Sequence, residues 1–374
     1  NQSNMSTIFV DNIKTVSGSN TFVSGSFTGN LSSAEFSSAS NPSNPVTGQV
    51  YYNTTLKSFL VYNGSAWITL QTTTTGGIES FYSEGGTRYK VHTFYRNDTF
   101  IPDRAMNVDV FIVAGGGAGG SGWYGGGGGA GGVVYRPGLS ITAQSYSIEV
   151  GDGGVRSLAL NVRGGNGGNS TAFGLTAIGG GGGGSRAGQR DGADGGSGGG
   201  PAQQSDSTGS GIQTTDSSIS AESRAYGLGN GMSWLDNGEN YGGAGGGAGG
   251  AGIQPRDGWA TGSNYGAPGG MGIREGDTYT INSTSTVLSF NGEKKWFAEG
   301  GGGGSSDRIP NCRNGVGGQG ASSGSNTLAG AGVPGTGSGG GGGTGAESGT
   351  FSHEQFCEIG GNGGSGIVIV RYAV

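Results

Sequence analysis

Short apolar bursts broken by polar turns run through the first third of the chain. Residues 5–30 switch between apolar and polar positions, and the runs end at Ser, Gly and Asn, the mark of short β-segments. Residues 31–46 are rich in Ser, Asn and Pro and read as a linker. Three strand-like runs follow, Val50–Tyr52, Phe59–Tyr62 and Trp67–Leu70, separated by the turn chemistry of NTTLK and NGSA. Such a unit is too small to bury a core alone, and it is expected to borrow one from identical neighbours. Thr72–Thr75 with Gly76 and Gly77 reads as a hinge. Beyond it, Tyr89, Val91, Thr93 and Tyr95 alternate with Lys90, His92 and Phe94, the period of two of a strand. A turn, RNDTFIPDRAMN, leads to the strand Val108–Val113. Further strands are expected at Gly132–Tyr135, Tyr146–Val150, Ser170–Ile178, Thr278–Ile281, Val287–Phe290 and Ile367–Tyr372. No helical period of useful length is present.

Glycine changes this picture. Of 92 glycines in 374 residues, only nine lie in residues 1–114, so the two parts are different materials. There is no Gly-X-Y register and only 9 Pro, which excludes collagen. The glycine begins where the strands end, as in VDVFIVAGGGAGG (108–120). Glycine loses more backbone entropy on ordering than any other residue, so flexible linkers are one reading. The favoured reading is ordered: extended three-residue-period helices without internal hydrogen bonds, packed closely enough for their backbones to pair with one another. Positions facing a neighbour must then be Gly, and outward positions tolerate Ala or Ser. GGAGGGAGGAG (242–252) and GGGGGTGA (339–346) fit that pattern. Ordered but irregular loops are the remaining alternative. Strands would clamp the ends of each glycine segment.

Net charge is −6, with Lys and Arg scattered, which argues against nucleic acid as a partner. Cys312 and Cys357 have no CxxC or Cys/His company; they are two unpaired small side chains or a mutual disulfide. With only His92 and His353, a metal role is not expected, and no cofactor is. Loose GxGxxG matches carry no weight in a chain this rich in Gly, and no helix follows them. Asp152, Asp191 and Asp194 sit beside glycines but outside the calcium-repeat register. His92 lies in a strand pattern and reads as structural. His353 neighbours Glu354 and Cys357 without a third partner, so no catalytic residue is assigned. Asp236, Glu239, Asp257, Glu275 and Asp277 could supply a carboxylate pair for glycoside hydrolysis, but their separation is not readable here.

Aromatic residues stand out more. Trp123, Tyr124, Tyr226, Trp234, Tyr241, Trp259 and Tyr265 lie in or beside Gly-rich and polar segments with little strand pattern. They are candidate receptor-binding residues, because aromatic faces stack on sugars and anchor interfaces at low ordering cost. The alternative is that they plug the glycine segments. Trp67 and Trp296 each follow a turn into an apolar run and read as structural.

The run RYKVHTFYRNDTFIPDRAMNVDVFIVAGGGAGG (88–120) resembles the glycine-rich domain at the ends of bacteriophage tail fibres. GGAGGVVY (128–135), YSIEVGDGG (146–154), GGNSTAFGLTAIGGGGGG (167–184) and GGSGIVIVRYAV (363–374) resemble its later elements in the same order. The likeness covers about residues 80–374 and departs in the long inserts 201–241 and 253–314. MSTIFVDNIKTVSGSN (5–20) and TGQVYYNTTLKSFLVYNGSAW (47–67) resemble N-terminal parts of structural proteins of tailed phages, notably those of marine cyanobacteria.

The resemblance implies a trimeric virion fibre protein, exposed to the extracellular medium, and supplies no catalytic residues. The expected architecture is all-β: an attachment segment and linker (1–46), a small β unit (47–75) and a β-sandwich-like, glycine-rich head (76–374) with polyglycine-II-like segments. The expected function is host attachment by a rigid head. Its partners would be copies of itself, other virion tail or neck proteins through the N-terminal segment, and a host surface glycan or outer-membrane protein, with no nucleic acid. A purely structural fibre or collar is the chief rival, and a glycan depolymerase the third reading.

Overall fold

The computed structural model describes residues 37–38, 40–56, 58–69, 73–159, 162–186, 189–203, 205, 207–213, 224–226, 241–252, 267–276, 278–281, 284–287, 290, 292–293, 295–305, 315–322, 327–344 and 359–374. The described residues contain strands and no helix. The chain divides into two compact units, Asn1–Gln71 and Thr72–Val374.

The first unit holds β1 (Ser37–Ser38), β2 (Val50–Asn53), β3 (Ser58–Tyr62) and β4 (Trp67–Thr69), hydrogen-bonded in that order. β2, β3 and β4 form an antiparallel meander. Its turns close on asparagine: Asn53 Oδ1 accepts the N–H groups of Thr55 and Leu56, and Asn63 Oδ1 those of Ser65 and Ala66. One face buries Tyr51 and Leu60, with the Tyr51 and Trp67 rings edge to face at 4.7 Å. The other aligns Val50, Val61 and Ile68 in one cross-strand row and Tyr52 with Phe59 in the next. Val50, Phe59 and Ile68 on that face are exposed.

In the second unit, a six-stranded sheet has the order β13-β9-β8-β18-β6-β5. These strands are β5 (Ile78–Glu84), β6 (Thr87–Phe94), β8 (Met106–Val113), β9 (Val133–Ile141), β13 (Arg224–Tyr226) and β18 (Ile367–Ala373). A four-stranded sheet, β12-β11-β10-β7, consists of β7 (Asp98–Phe100), β10 (Tyr146–Glu149), β11 (Ser170–Ala172) and β12 (Leu175–Ala177). The alternation along β8 explains the layering. Val108, Val110 and Ile112 pack against Phe100, Ile148, Ala172 and Ala177 of the smaller sheet. Phe111 and Val113 point the other way, into a second core closed by Ile273, Phe290 and Phe297. Phe111 stacks on Phe290 with ring centroids 3.9 Å apart. Two small ribbons complete the strands: β14 (Ile273–Arg274) with β17 (Trp296–Phe297), and β15 (Thr278–Ile281) with β16 (Thr284–Val287).

Three expected strands differ. Ser170–Ile178 is a hairpin, because Phe173 and Gly174 both take positive φ (54° and 77°) and reverse the chain. Phe173 offsets its left-handed backbone by packing its ring against Phe100 and Tyr146. β9 runs well past Tyr135, because a bulge opposite Val108–Val110 accommodates Pro137, and Gly138 N–H finds Asp109 Oδ1 at 2.8 Å. Of the expected strand Val287–Phe290, only Val287 lies in a described strand, and Phe290 is a core plug outside the described strands.

The expected hinge is held on the head. Thr75 pairs with Ile101 through both backbone groups, and Lys90 Nζ donates to the Thr74 carbonyl at 3.1 Å. Thr74 Oγ1 donates to Asp103 at 2.8 Å, and His92 Nδ1–H donates to the Gly76 carbonyl at 2.7 Å. Burial of His92 pushes its imidazole below the ordinary value, against the opposing pull of that hydrogen bond.

The glycine segments form the ordered lattice. From Ala114 to Ser121, successive N–H groups point at three neighbours in turn. Residues 114, 117 and 120 donate to the carbonyls of 132, 129 and 126; 115, 118 and 121 to 168, 165 and 162; 116 and 119 to 364 and 361. Segment 125–132 repeats the pattern toward 337–343, 178–184 and 243–246. This strict period of three is that of an extended helix with no internal hydrogen bonds.

The sheet register passes unbroken into the lattice. Val113 pairs with Ile367, then Gly116 with Gly364 and Gly119 with Gly361; Val113 pairs with Val133, then Ala114 with Gly132. A strand has two neighbours, and at the first glycine the same chain gains a third. That is why the apolar strand abuts glycine: β8, β9 and β18 fix the registers that the helices inherit.

Glycine is required here by closeness. A Cβ on Gly116, Gly117, Gly119 or Gly120 would sit inside contact distance of the backbone carbonyls of Ser338, Gly181, Gly341 and Gly184. The expectation that Ala and Ser positions face outward holds at Ala251, which is exposed, but not at Ala118, Ala130, Ala244, Ser197 and Ser305, which are all buried. Their Cβ atoms occupy interstices between helices, and Ala130 joins the apolar core.

Candidate functional site

The lattice has a strand end and a far end, and the far end is where candidate residues converge. The helix 114–121 leaves β8, reverses at 121–124 and returns as 125–132 into β9. The reversal needs positive φ at Gly122 (94°) and at Tyr124 (49°). The strained Tyr124 is held by burial, at 1 % exposure, and its carbonyl accepts the Gln203 N–H. Its neighbour Trp123 stays partly exposed, with the Arg186 guanidinium over its ring at 4.8 Å.

Ser121 ties three segments together. It is fully buried, and its N–H donates to the Val162 carbonyl. Its hydroxyl donates to the Ser157 carbonyl at 2.8 Å, and its own carbonyl accepts the Ser185 hydroxyl. Turn 121–124, Ser157, Val162 and Ser185 therefore share one anchor. Tyr241 belongs to the same end: it bridges to Ser305, and Gly242 abuts the Tyr124 carbonyl.

Two aromatic candidates need correction. Tyr124 and Tyr241 are 1 % and 3 % exposed, so neither ring has a face to offer a receptor. They are plugs where lattice helices end, because the close-packed glycine around them leaves no solvent path. Tyr226 lies on β13, paired with Val133, at the strand end and not the far end. Trp234, Trp259, Tyr265, Cys312 and Cys357 lie outside the described residues. Of the described candidate side chains, Trp123 alone reaches solvent.

The carboxylate candidates divide similarly. Glu275 is buried, and its oxygens accept the N–H groups of Phe290, Gly292 and Glu293 at 2.9, 2.6 and 3.0 Å. It organises the turn that carries Phe290 into the core. Asp236, Glu239, Asp257 and Asp277, with His353, lie outside the described residues. Sequence reasoning missed Glu299, which is fully buried and accepts the Val316 and Gly317 N–H groups at 2.9 Å each. An acidic residue abutting a glycine run (FAEGGGGG) was its only signal. Among the described residues no group of three His, Cys, Asp or Glu is placed to hold a metal ion.

The stretch VRSLALNVR carries no pattern of its own in the sequence, but it lies between two glycine runs, so residues 155–159 and 162–163 fall at the end of two lattice helices.

A periodic glycine lattice nucleated by a β-sandwich defines a glycine-rich domain. Residues 91–373 match the family model described as Glycine-rich domain, and the chain belongs to that family. No curated protein sequence matches it.

Proposed function

We propose that the protein is a virion fibre or adhesin of a tailed phage that displays its glycine-rich head for attachment to a bacterial surface. The observation that carries this reading is the built far end of the lattice. There one buried serine fixes three segments, and Trp123 is offered to solvent on a frame that has little left to order. A surface preorganised in this way loses little entropy on binding. The likeness of residues 88–120 and the later blocks to tail-fibre glycine-rich domains supports the phage assignment, as does the likeness of residues 5–20 and 47–67 to phage structural proteins.

The test is attachment of the labelled full chain to a panel of bacterial strains. Saturable binding to at least one strain is expected. Trp123→Ala should weaken it about tenfold or more, the scale of an aromatic anchor. No binding to any strain, with retention by virion proteins instead, favours the purely structural fibre.

Self-assembly through the first unit is part of the same proposal. The exposed residues Val50, Phe59 and Ile68 form an uncharged face on a sheet whose opposite face is already packed. Such a face suits copies of itself, and three copies would add avidity. Light scattering of the full chain should give a trimer, and Phe59→Asp should reduce it to monomer.

A further inference from the structure

From the far end of the lattice we infer that residues 155–159 and 162–163, with Arg186 and Trp123 at the same end, dock on an anionic lipid surface, where phosphate groups lie next to acyl chains. This inference rests on the adhesin reading and names the chemistry of its partner.

Three observations converge. The loop exposes apolar side chains that nothing in the fold uses: Val155 is 74 % exposed, Leu158 72 % and Val162 41 %. Single exposed apolar residues are ordinary, but three within eight residues at one tip form a patch. Leu158 is held at the apex of a tight turn, because the Ser157 hydroxyl bonds both the N–H and the carbonyl of Ala159 at 3.1 Å. The tip is also anchored, through Ser157 and Val162 to Ser121 and through the Arg156 N–H to Asn362.

Charge supplies the second half. The chain is acidic, at −6, yet four of its 19 basic residues lie here: Arg156, Arg163, Arg186 and Arg190. Among the described residues none of the four forms an ion pair with a carboxylate. Of the acidic residues nearest in sequence, Asp191 accepts a hydrogen bond from Ser205, and the exposed Asp152, four positions before Arg156, forms no ion pair among the described residues. Arginines flank the apolar tip on both sides in VRSLALNVR, so Leu158 and Val155 can enter the acyl boundary while guanidinium groups meet phosphate. A neutral glycan would use the ring of Trp123 but leave the arginines and aliphatic side chains without a role.

The experiment is flotation of the full chain with vesicles of phosphatidylcholine alone, or of phosphatidylcholine and phosphatidylglycerol in equal parts. Binding to the anionic vesicles only is expected, weakening as salt rises. Each arginine near such a surface contributes about fivefold, so R156Q/R163Q should lower affinity by about 25-fold. Leu158→Asn should lower it about tenfold by removing the apolar insertion. Arg156 and Leu158 are exposed and Arg163 is half-buried, and circular dichroism checks that the fold is retained.

Equal binding to both vesicle types, no binding to either, or variants that bind like the parent would each overturn the inference. So would full competition by soluble inorganic polyphosphate, which would reduce the site to an anion site. The same variants in the cell-attachment assay separate the two claims. Cells bound without vesicle binding would sink the lipid inference and leave the adhesin reading standing. Vesicles bound without any cell attachment would do the reverse.

Discussion

Adding one methyl group at Gly117 tests the lattice with a predicted change of sign. In a flexible segment, Gly→Ala stabilises a protein by about 0.4–1 kcal/mol, because the unfolded chain has less freedom to lose. In the lattice, the Cβ of Gly117→Ala would press on the carbonyl groups of Gly180 and Gly181, with no flexible side chain there to yield. Segments 114–121, 125–132 and 178–184 meet at that point: Gly117 N–H donates to Gly129, and Gly129 N–H to Gly181. Overpacking of this kind costs about 1–3 kcal/mol, and forcing the helices apart weakens one or two hydrogen bonds worth about 1 kcal/mol each. The net expectation is a loss of about 2–5 kcal/mol, read as a lower denaturant midpoint. Gly250→Ala is the matched control, since a Cβ there meets nothing within 4 Å and its φ is not left-handed. It should be neutral or slightly stabilising. If Gly117→Ala proves as stable as the parent, the close packing claimed for these helices is wrong.

Other expectations follow from buried polar groups. His92 has a folded-state value below its unfolded one, so it is neutral in the fold, and stability is full above about pH 6.5. As pH falls through that unfolded value toward the lower folded one, stability should decline by up to about 1.4 kcal/mol per pH unit. His92→Gln should remove this part of the pH dependence in denaturant titrations. Glu275→Ala strands the N–H groups of Phe290, Gly292 and Glu293 and should cost at least about 2 kcal/mol. It should also diminish the near-ultraviolet signal of the stacked Phe111 and Phe290 rings. Asp109→Asn loosens the buried Arg371, whose Nε–H donates to Asp109 at 2.7 Å, while Glu84 remains at 3.1 Å. A loss of about 1–3 kcal/mol, less than for a fully orphaned charge, is expected in the same assay.

Much of the strand structure was legible because its period of two survives burial. Tyr89–Phe94 and Val108–Val113 are read correctly from alternation, although both faces of β8 are covered. The Phe173 reversal was not legible, since Phe is a poor left-handed residue and only its packing against Phe100 and Tyr146 justifies it. Pro137 hid the length of β9, because the bulge that tolerates it is a property of the pair. Glycine spacing showed that order was possible, but not which segments pair, since registers are set by strands distant in sequence. Trp123 and Tyr124 are equivalent in sequence and opposite in fate. The φ of Tyr124 turns its ring inward, and no local pattern records that. The exposure of Val155, Leu158 and Val162 was not legible, because it follows only from their place at the end of two lattice helices.

The central claim is that glycine carries the order that holds the far end in place. Amide hydrogen exchange across residues 114–132 tests it most directly. The lattice predicts that amides of Gly116–Gly120 and Gly126–Gly131 exchange as slowly as those of β8 and β18, because every third one is bonded to the same neighbour. Exchange at the rate of an unstructured peptide, with β8 and β18 still protected, would contradict it.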